Sequence, residues 1–180
     1  FYFAHLYLSI QIDEVQKESV MPYESVQQKL DIKYMREALK QAKKAVEQDE
    51  VPVGALVVHD NKVIARAYNK VEQKDSQCAH AEMLALQKAG KKLGDWRLLE
   101  CTLYVTLEPC SMCMHAILLH RIARVVYGAD SPLFGYQLDK KGGDSVYKYD
   151  TMQITSGVLH EESAKLLKQF FKKRRREYVT

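Results

Sequence analysis

The sequence predicts a three-layer α/β sandwich, with a mixed central sheet of about five strands between layers of helices. Two observations carry this. Elements succeed one another as helix, hairpin, helix, strand, helix, strand, loop and helix. One helix that is apolar almost all round also stands between two apolar strands, as a crossover packed back onto a sheet does.

From Asp31 the apolar residues Met35, Leu39, Ala42 and Val46 recur three and four positions apart with Lys and Glu between them, the pattern of an amphipathic helix. Asp31 is placed as its N-cap. Past Pro52, VGALVV and KVIARAY are β-branched apolar runs separated by Asp60-Asn61, which predicts a hairpin. Residues 70–78 are polar and read as a loop. AHAEMLALQKAGKKLG has helical spacing and stops at Gly94, and TLYVTL follows as a strand. Ser111 to His120 is the apolar helix, expected to be buried, and ARVVYG is the strand after it. Residues 129–150, with Pro132 and several glycines, form a long loop, and TMQITSGV a short strand. The last helix runs from about Glu161 to Tyr178, with Leu166, Leu167, Phe170 and Phe171 turned inward.

The 180 residues suffice for one domain with its own core, and we divide them into an N-terminal extension over 1–30 and a single domain over 31–180. Met21 stands just before the first helical pattern, so residues 1–20 are read either as an upstream stretch of the gene model or as a real arm. The opening FYFAHLYLSIQI lacks a basic lead-in and a small-residue cleavage site and is too short to span a bilayer, which makes a cytoplasmic location the expectation, with no membrane partner. Lys and Arg number 27 against 23 Asp and Glu, a mild +4 that alone says little about partners. Its distribution says more: Lys168, Lys172, Lys173, Arg174, Arg175 and Arg176 crowd into the C-terminus. Of Cys78, Cys101, Cys110 and Cys113, the last two form a Cys-x-x-Cys pair, which favours metal binding over a disulfide framework. Cys78 and Cys101 are read as ordinary small apolar residues.

The informative feature is His80-Ala81-Glu82, followed after a strand by Pro109-Cys110-Ser111-Met112-Cys113. Both halves stand where the chain enters a helix, and the exposed N–H groups and partial positive charge of a helix start favour thiolate over thiol. Zinc in a hydrolytic site takes three protein ligands and leaves its fourth place to water. His80, Cys110 and Cys113 supply that number, with one zinc per chain expected. A water on that zinc loses a proton near neutral pH and becomes a hydroxide nucleophile. Glu82 is too close to His80 to be an independent ligand easily and is assigned general acid/base work. Alone, Cys-x-x-Cys is more often a structural zinc or a redox pair; a structural site would need Cys78 as fourth ligand, and a redox pair leaves His80 and Glu82 without a role. His115 and His120 are read as packing or surface residues.

Taken together, the His-x-Glu and Pro-Cys-x-x-Cys signature, VPVGALVV, Asn69, AHAEMLAL, TLYVTLEPCSMC, RIARVVYGAD and the terminal FFKKRRRE resemble the bacterial tRNA adenosine deaminase family of the cytidine and deoxycytidylate deaminase superfamily. The resemblance covers about residues 31–180. It implies a sandwich of the cytidine deaminase type, conversion of a wobble adenosine to inosine in an anticodon stem-loop, and a homodimer whose two subunits contact the tRNA. It also implies that Asn69 hydrogen-bonds the purine, that the Ala81 backbone helps to hold it, and that Val53 and Pro109 lie near the base. Asn69 has an alternative reading as a turn residue closing the hairpin.

SPLFGYQLDKKGGDS departs from the family pattern, which has a Lys and then Gly, Ala and Ser there. Phe134 and Tyr136, interleaved with Lys140, Lys141 and Lys148, are suited to stacking bases and contacting phosphates, or else to packing the loop on itself. The terminal Phe170, Phe171, Lys172, Lys173, Arg174, Arg175 and Arg176 are candidate RNA contacts, against the alternative of a solvated helix end. Two rival functions remain: a zinc deaminase of a free base or nucleotide such as cytosine, guanine or deoxycytidylate, and a non-catalytic zinc- and RNA-binding subunit. Asn69 and the basic end argue against the first, and Glu82 against the second.

Overall fold

A computed structural model describes residues 25–137 and 152–177; the N-terminal arm and Lys140, Lys141 and Lys148 lie outside them. Helix α1, Val26–Glu47, begins ahead of the expected boundary at residue 31. Its N-cap is Ser25, whose hydroxyl accepts from the Gln28 N–H at 3.1 Å while the Ser25 N–H donates to Gln28 Oε1 at 2.7 Å. This reciprocal pair satisfies backbone groups that the first turn leaves open. Asp31, expected to cap, instead lies buried inside the helix and receives Arg124 Nη1 and Nη2 at 2.7 and 2.6 Å and Tyr104 Oη at 2.8 Å. A carboxylate ahead of an apolar run looks the same in sequence whether its partner is local backbone or a distant cation.

The strands are β1 (Gly54–His59), β2 (Lys62–Tyr68), β3 (Thr102–Leu107), β4 (Arg124–Ala129) and β5 (Gln153–Thr155), in the order β2-β1-β3-β4-β5. Strand β1 runs antiparallel to β2 and to β3, and β4 is parallel to both β3 and β5. Asp60 and Asn61 carry φ of 49° and 56°, the left-handed pair that a two-residue hairpin loop matching the sheet twist requires. The expected loop after β2 contains one helical turn, α2 (Val71–Lys74). Helix α3, Ala81–Leu93, stops at Gly94 with φ 71°. Helix α4, Ser111–Leu119, crosses between the parallel strands β3 and β4, and α5 spans His160–Glu177.

Side chains alternate across the sheet, so both faces are buried. Leu56, Val58, Tyr104 and Val126 meet Tyr34, Met35 and Ala38 of α1. Ala55, Val57, Leu103 and Val105 meet Ala81, Ala85 and Leu86 of α3 and Met114 and Ile117 of α4. Helix α5 joins the α1 layer, with Ser163 set against Gly128. The α1 backbone lies so close to β1 that a Cβ at Gly54 would overlap the Ala38 carbonyl oxygen, which only glycine avoids.

Three expectations need correction. Helix α4 is not buried all round: Cys113, Met114 and Ile117 face inward, while Met112 and Leu119 are exposed. On α5, Phe170 is buried but Phe171 points outward, meeting Phe170 edge-on at 5.4 Å, because consecutive helix positions point about 100° apart and the narrow inward stripe here takes only the first. Cys101 is buried as expected of a small apolar residue, whereas Cys78 is exposed.

Candidate active site

The crossover between the parallel strands β3 and β4 puts the start of α4 at their C-terminal ends, and α3 packs beside α4 with its own start facing the same place. His80 is the N-cap of α3 and Cys110 that of α4, both with extended backbone, and neither side chain caps its helix. Released from capping, the two side chains meet: His80 Nδ1 lies 3.7 Å from Cys110 Sγ and 3.4 Å from Cys113 Sγ. The three ligand atoms fall within 4.8 Å of one another. A tetrahedral zinc with thiolate and imidazole ligands needs N···S and S···S separations of about 3.5–3.8 Å, so this donor set fits that ion in chemistry and in size.

Charge in the cluster is polarised. The Cys113 thiol donates to Cys110 and, with His80 helping against the effect of burial, holds the Cys110 thiol down at about 4. Cys113 is driven well above its usual value by giving that hydrogen bond and by burial. His80 is raised by its hydrogen bond with Cys110, in spite of burial. Glu82, in the first turn of α3, is buried against the ligands, where it hydrogen-bonds Cys113 and its own backbone N–H; burial pushes its carboxyl up. It stands outside the three-residue ligand group, as its spacing implied. His115 and His120 also stand outside it, and His120 Nδ1 lies 2.7 Å from the Ala116 carbonyl.

Asn69 is buried at the end of β2, where its N–H donates to the Val53 carbonyl at 3.0 Å and its Nδ2 to Glu50 Oε2 at 3.0 Å. It therefore closes the β1–β2 pair with its backbone while keeping a polar side chain in the interior. The next residue, Lys70, donates from its backbone to Ala79, directly before His80. Ala81 is the first residue of α3, so its N–H belongs to the group a helix start leaves without an intrahelical partner. Val53, whose carbonyl takes the Asn69 N–H, and Pro109, directly before Cys110, are both buried.

Sequence reasoning missed two buried carboxylates that organise the site. Glu50, fully buried, accepts from Asn69 Nδ2 and, through Oε1, from the Gln73 N–H at 2.8 Å. A carboxylate only accepts, so it fixes the nitrogen edge of the Asn69 amide towards itself. Glu108 accepts from the Ser131 and Gln137 N–H groups at 2.9 and 3.2 Å. Glu108 stands alone after the apolar run TLYVTL, which was an available signal, whereas Glu50 follows Glu47 and Asp49 and nothing in the sequence sets it apart. A basic cluster was also missed. Lys88, bonded to the Arg66 carbonyl at 2.8 Å, is held below its usual value by burial and by the charges of Lys70 and Lys74.

At the basic end, Lys172, Lys173, Arg175 and Arg176 are exposed, but Arg174 is committed to α1, donating to the carbonyl and carboxylate of Asp49 at 3.1 and 2.9 Å and lying over the Phe170 ring. Of the two loop aromatics, Tyr136 is buried against Tyr127 and Phe134 is exposed. Phe170 and Tyr136 thus fill space in the interior and present no ring to a ligand. Among the described residues no helix is long and apolar enough to cross a membrane.

The family of MafB19-like deaminases matches residues 30–175. The tRNA-specific adenosine deaminase of Bacillus subtilis (strain 168) is 45% identical over 153 residues, covering 80% of this chain and 90% of that protein. The enzyme of that name from Streptococcus pyogenes serotype M18 is 39% identical over 162 residues, covering 86% and 96%. Among solved structures, one from a study of A-to-I editing by tRNA:A34 deaminases at the wobble position of transfer RNA superposes with a TM-score of 0.69 at 39% identity, over 74% of this chain and 98% of that one. A guanine deaminase from Nitrosomonas europaea superposes with a TM-score of 0.63 at 25% identity, over 76% and 81%.

Proposed function

Because the chain belongs to the tRNA-specific adenosine deaminases, within the MafB19-like deaminases, we infer that it hydrolyses the wobble adenosine of a tRNA anticodon to inosine and ammonia. The observation that carries the reading is the convergence of His80, Cys110 and Cys113 at two helix starts, with the buried carboxylate of Glu82 against them. These three residues hold one zinc ion per subunit, and zinc, when bound, supplies a water acidic enough to attack at neutral pH. Glu82 takes one proton from the attacking water and gives it to the ring nitrogen, then takes the second proton from the oxygen now on C6 and passes it to the departing amine. The water oxygen ends on C6 and the amino group leaves as ammonia, so no redox partner is needed. Asn69, aligned by Glu50, and the Ala81 N–H hold the purine, with Val53 and Pro109 along the base.

The target base must leave its stack to reach this site, and the anticodon loop offers it unpaired. Phosphates are met by Lys172, Lys173, Arg175 and Arg176, by the cluster of Lys70, Lys74 and Lys88, and by Lys140 and Lys141. Phe171, exposed beside the basic end, is a candidate base contact. The exposed apolar residues Met112 and Leu119 on α4 support a contact between two subunits. The deaminase domain begins with α1 and ends with α5, and its substrate gives it a cytoplasmic place of work. Deamination of a tRNA anticodon stem-loop, compared with free adenosine, cytosine and guanine, tests the reading. Inosine formed in the stem-loop alone supports it, and turnover of a free base in preference to the stem-loop overturns it.

A further inference from the structure

We propose that Phe134 is a fixed stacking platform for an unpaired nucleobase adjacent to the one in the active site. The inference rests on the tRNA-deaminase reading and adds a specificity-determining residue to it. Leu133 and Phe134 are 75% and 74% exposed, the most exposed large apolar side chains among the described residues. Displaying two such side chains to water is unfavourable unless something covers them in use.

The turn that carries them is tightly anchored. Glu108 accepts the N–H of Ser131 at one end and of Gln137 at the other, and the Gly135 N–H donates to the Ser131 carbonyl at 2.9 Å. The Tyr136 N–H donates to the Pro109 carbonyl at 3.0 Å, and the Tyr136 ring is buried against Tyr127. A Cβ at Gly135 would overlap the Glu108 carboxylate, so the turn sits directly on that anchor. The same Gly135 forms an isolated antiparallel bridge with Cys110. Phe134 is therefore one residue from a backbone link to a metal-ligating residue, on a turn whose neighbouring residue is locked in the core.

An exposed ring on an anchored turn, next to the backbone bridge to Cys110, suits the face of a nucleotide neighbouring an extruded base. Every base has a π-face, and single-stranded segments are held by stacking on aromatic side chains. A pre-ordered platform also spares the ordering cost that a mobile loop would pay on binding.

The test uses the full-length, zinc-loaded protein and an anticodon stem-loop, with the nucleotide on either side of the target made abasic in turn. Phe134→Ala should weaken stem-loop binding by about 5- to 150-fold, the span expected for loss of one base–aromatic stack, and Phe134→Trp should restore it. One abasic substitution should weaken the wild type by a similar factor and leave Phe134→Ala nearly indifferent, because both changes remove the same stack. Unchanged affinity of Phe134→Ala, or equal sensitivity of both proteins to both abasic sites, overturns the proposal. So does a change in sedimenting mass of Phe134→Ala, which would assign the face to a subunit contact. A wild type that deaminates the stem-loop beside a Phe134→Ala that binds it with unchanged affinity refutes this inference alone, whereas a wild type inactive on the stem-loop refutes the parent reading.

Discussion

Replacing Arg124 by Met isolates what the buried ion pair contributes and separates it from catalysis. In the wild type, burial opposes ionisation of Asp31, but hydrogen bonds from Arg124, Gln27 and Tyr104 and the Arg124 charge more than offset it, so the carboxyl is held below the usual carboxylate range. The substitution removes both guanidinium bonds to Asp31 and a third, from Nη2 to Thr155 Oγ1 at 2.8 Å, and leaves a carboxylate buried without a counter-charge. Breaking one side of such a pair costs about 3–5 kcal/mol. At about 2–4 °C per kcal/mol for a chain of this size, the melting temperature should fall by about 6–20 °C at pH 7. Because the folded pKa of Asp31 is depressed, the pair's contribution is complete above the unfolded value of about 4 and is lost as pH falls through the lower folded value. The deficit of the variant should therefore narrow on acidification below about pH 4. Turnover by the folded fraction should not change, since Arg124 opens β4 whereas the candidate metal ligands lie beyond the strands' far ends. Melting curves across pH read the stability changes, and the deamination rate of the zinc-loaded variant at pH 7 reads the turnover. A variant melting within about 2 °C of the wild type at pH 7 refutes the reasoning.

Metal analysis of Cys110→Ala and Cys113→Ala should show that neither retains a full complement of zinc, and a fully loaded variant overturns the ligand assignment. Glu82→Ala should keep zinc and fold while losing about a hundred- to ten-thousandfold in turnover. Retained activity in that loaded protein removes Glu82 from proton transfer. Glu50→Gln should lower kcat/KM about 10-fold, in line with loss of one hydrogen bond to a charged group, and have little effect in an Asn69→Ala background; equal losses in both backgrounds mean that Glu50 does not act through Asn69. Neutralising Lys172, Lys173, Arg175 and Arg176, with Arg174 left in place on Asp49, should flatten the logarithmic salt slope of stem-loop binding by up to about 0.7 for each phosphate no longer neutralised. An unchanged slope assigns the phosphates to Lys140 and Lys141 or to Lys70, Lys74 and Lys88 instead.

What could be read along the chain was local. The hairpin needed only Asp60-Asn61 between β-branched runs, the end of α3 needed only Gly94, and the meeting of His80 with Cys110 and Cys113 needed only that two motifs stand at helix starts. The errors fell where a partner is remote. Asp31 resembled a cap because its Arg124 partner is far along the chain. Of Phe170 and Phe171 one was expected to pack and the other to face out, and only the packing of α5 against the core decided which. Glu50 and Glu108 could not be recognised as anchors, because the backbone N–H groups they hold come from later loops that only the folded chain brings to them.

The ion pair between α1 and β4 also sets a schedule. Asp31 and Arg124 are separated by 93 positions, so at about 5–20 residues per second the carboxylate leaves the ribosome about 5 to 20 seconds before its cation does. Leu56 and Val58 cover the apolar face of α1 early in that interval, but the carboxylate inside it waits. A nascent chain halted before residue 124 should thus hold α1 loosely against the first hairpin, open to proteases, and tighten only when β4 arrives.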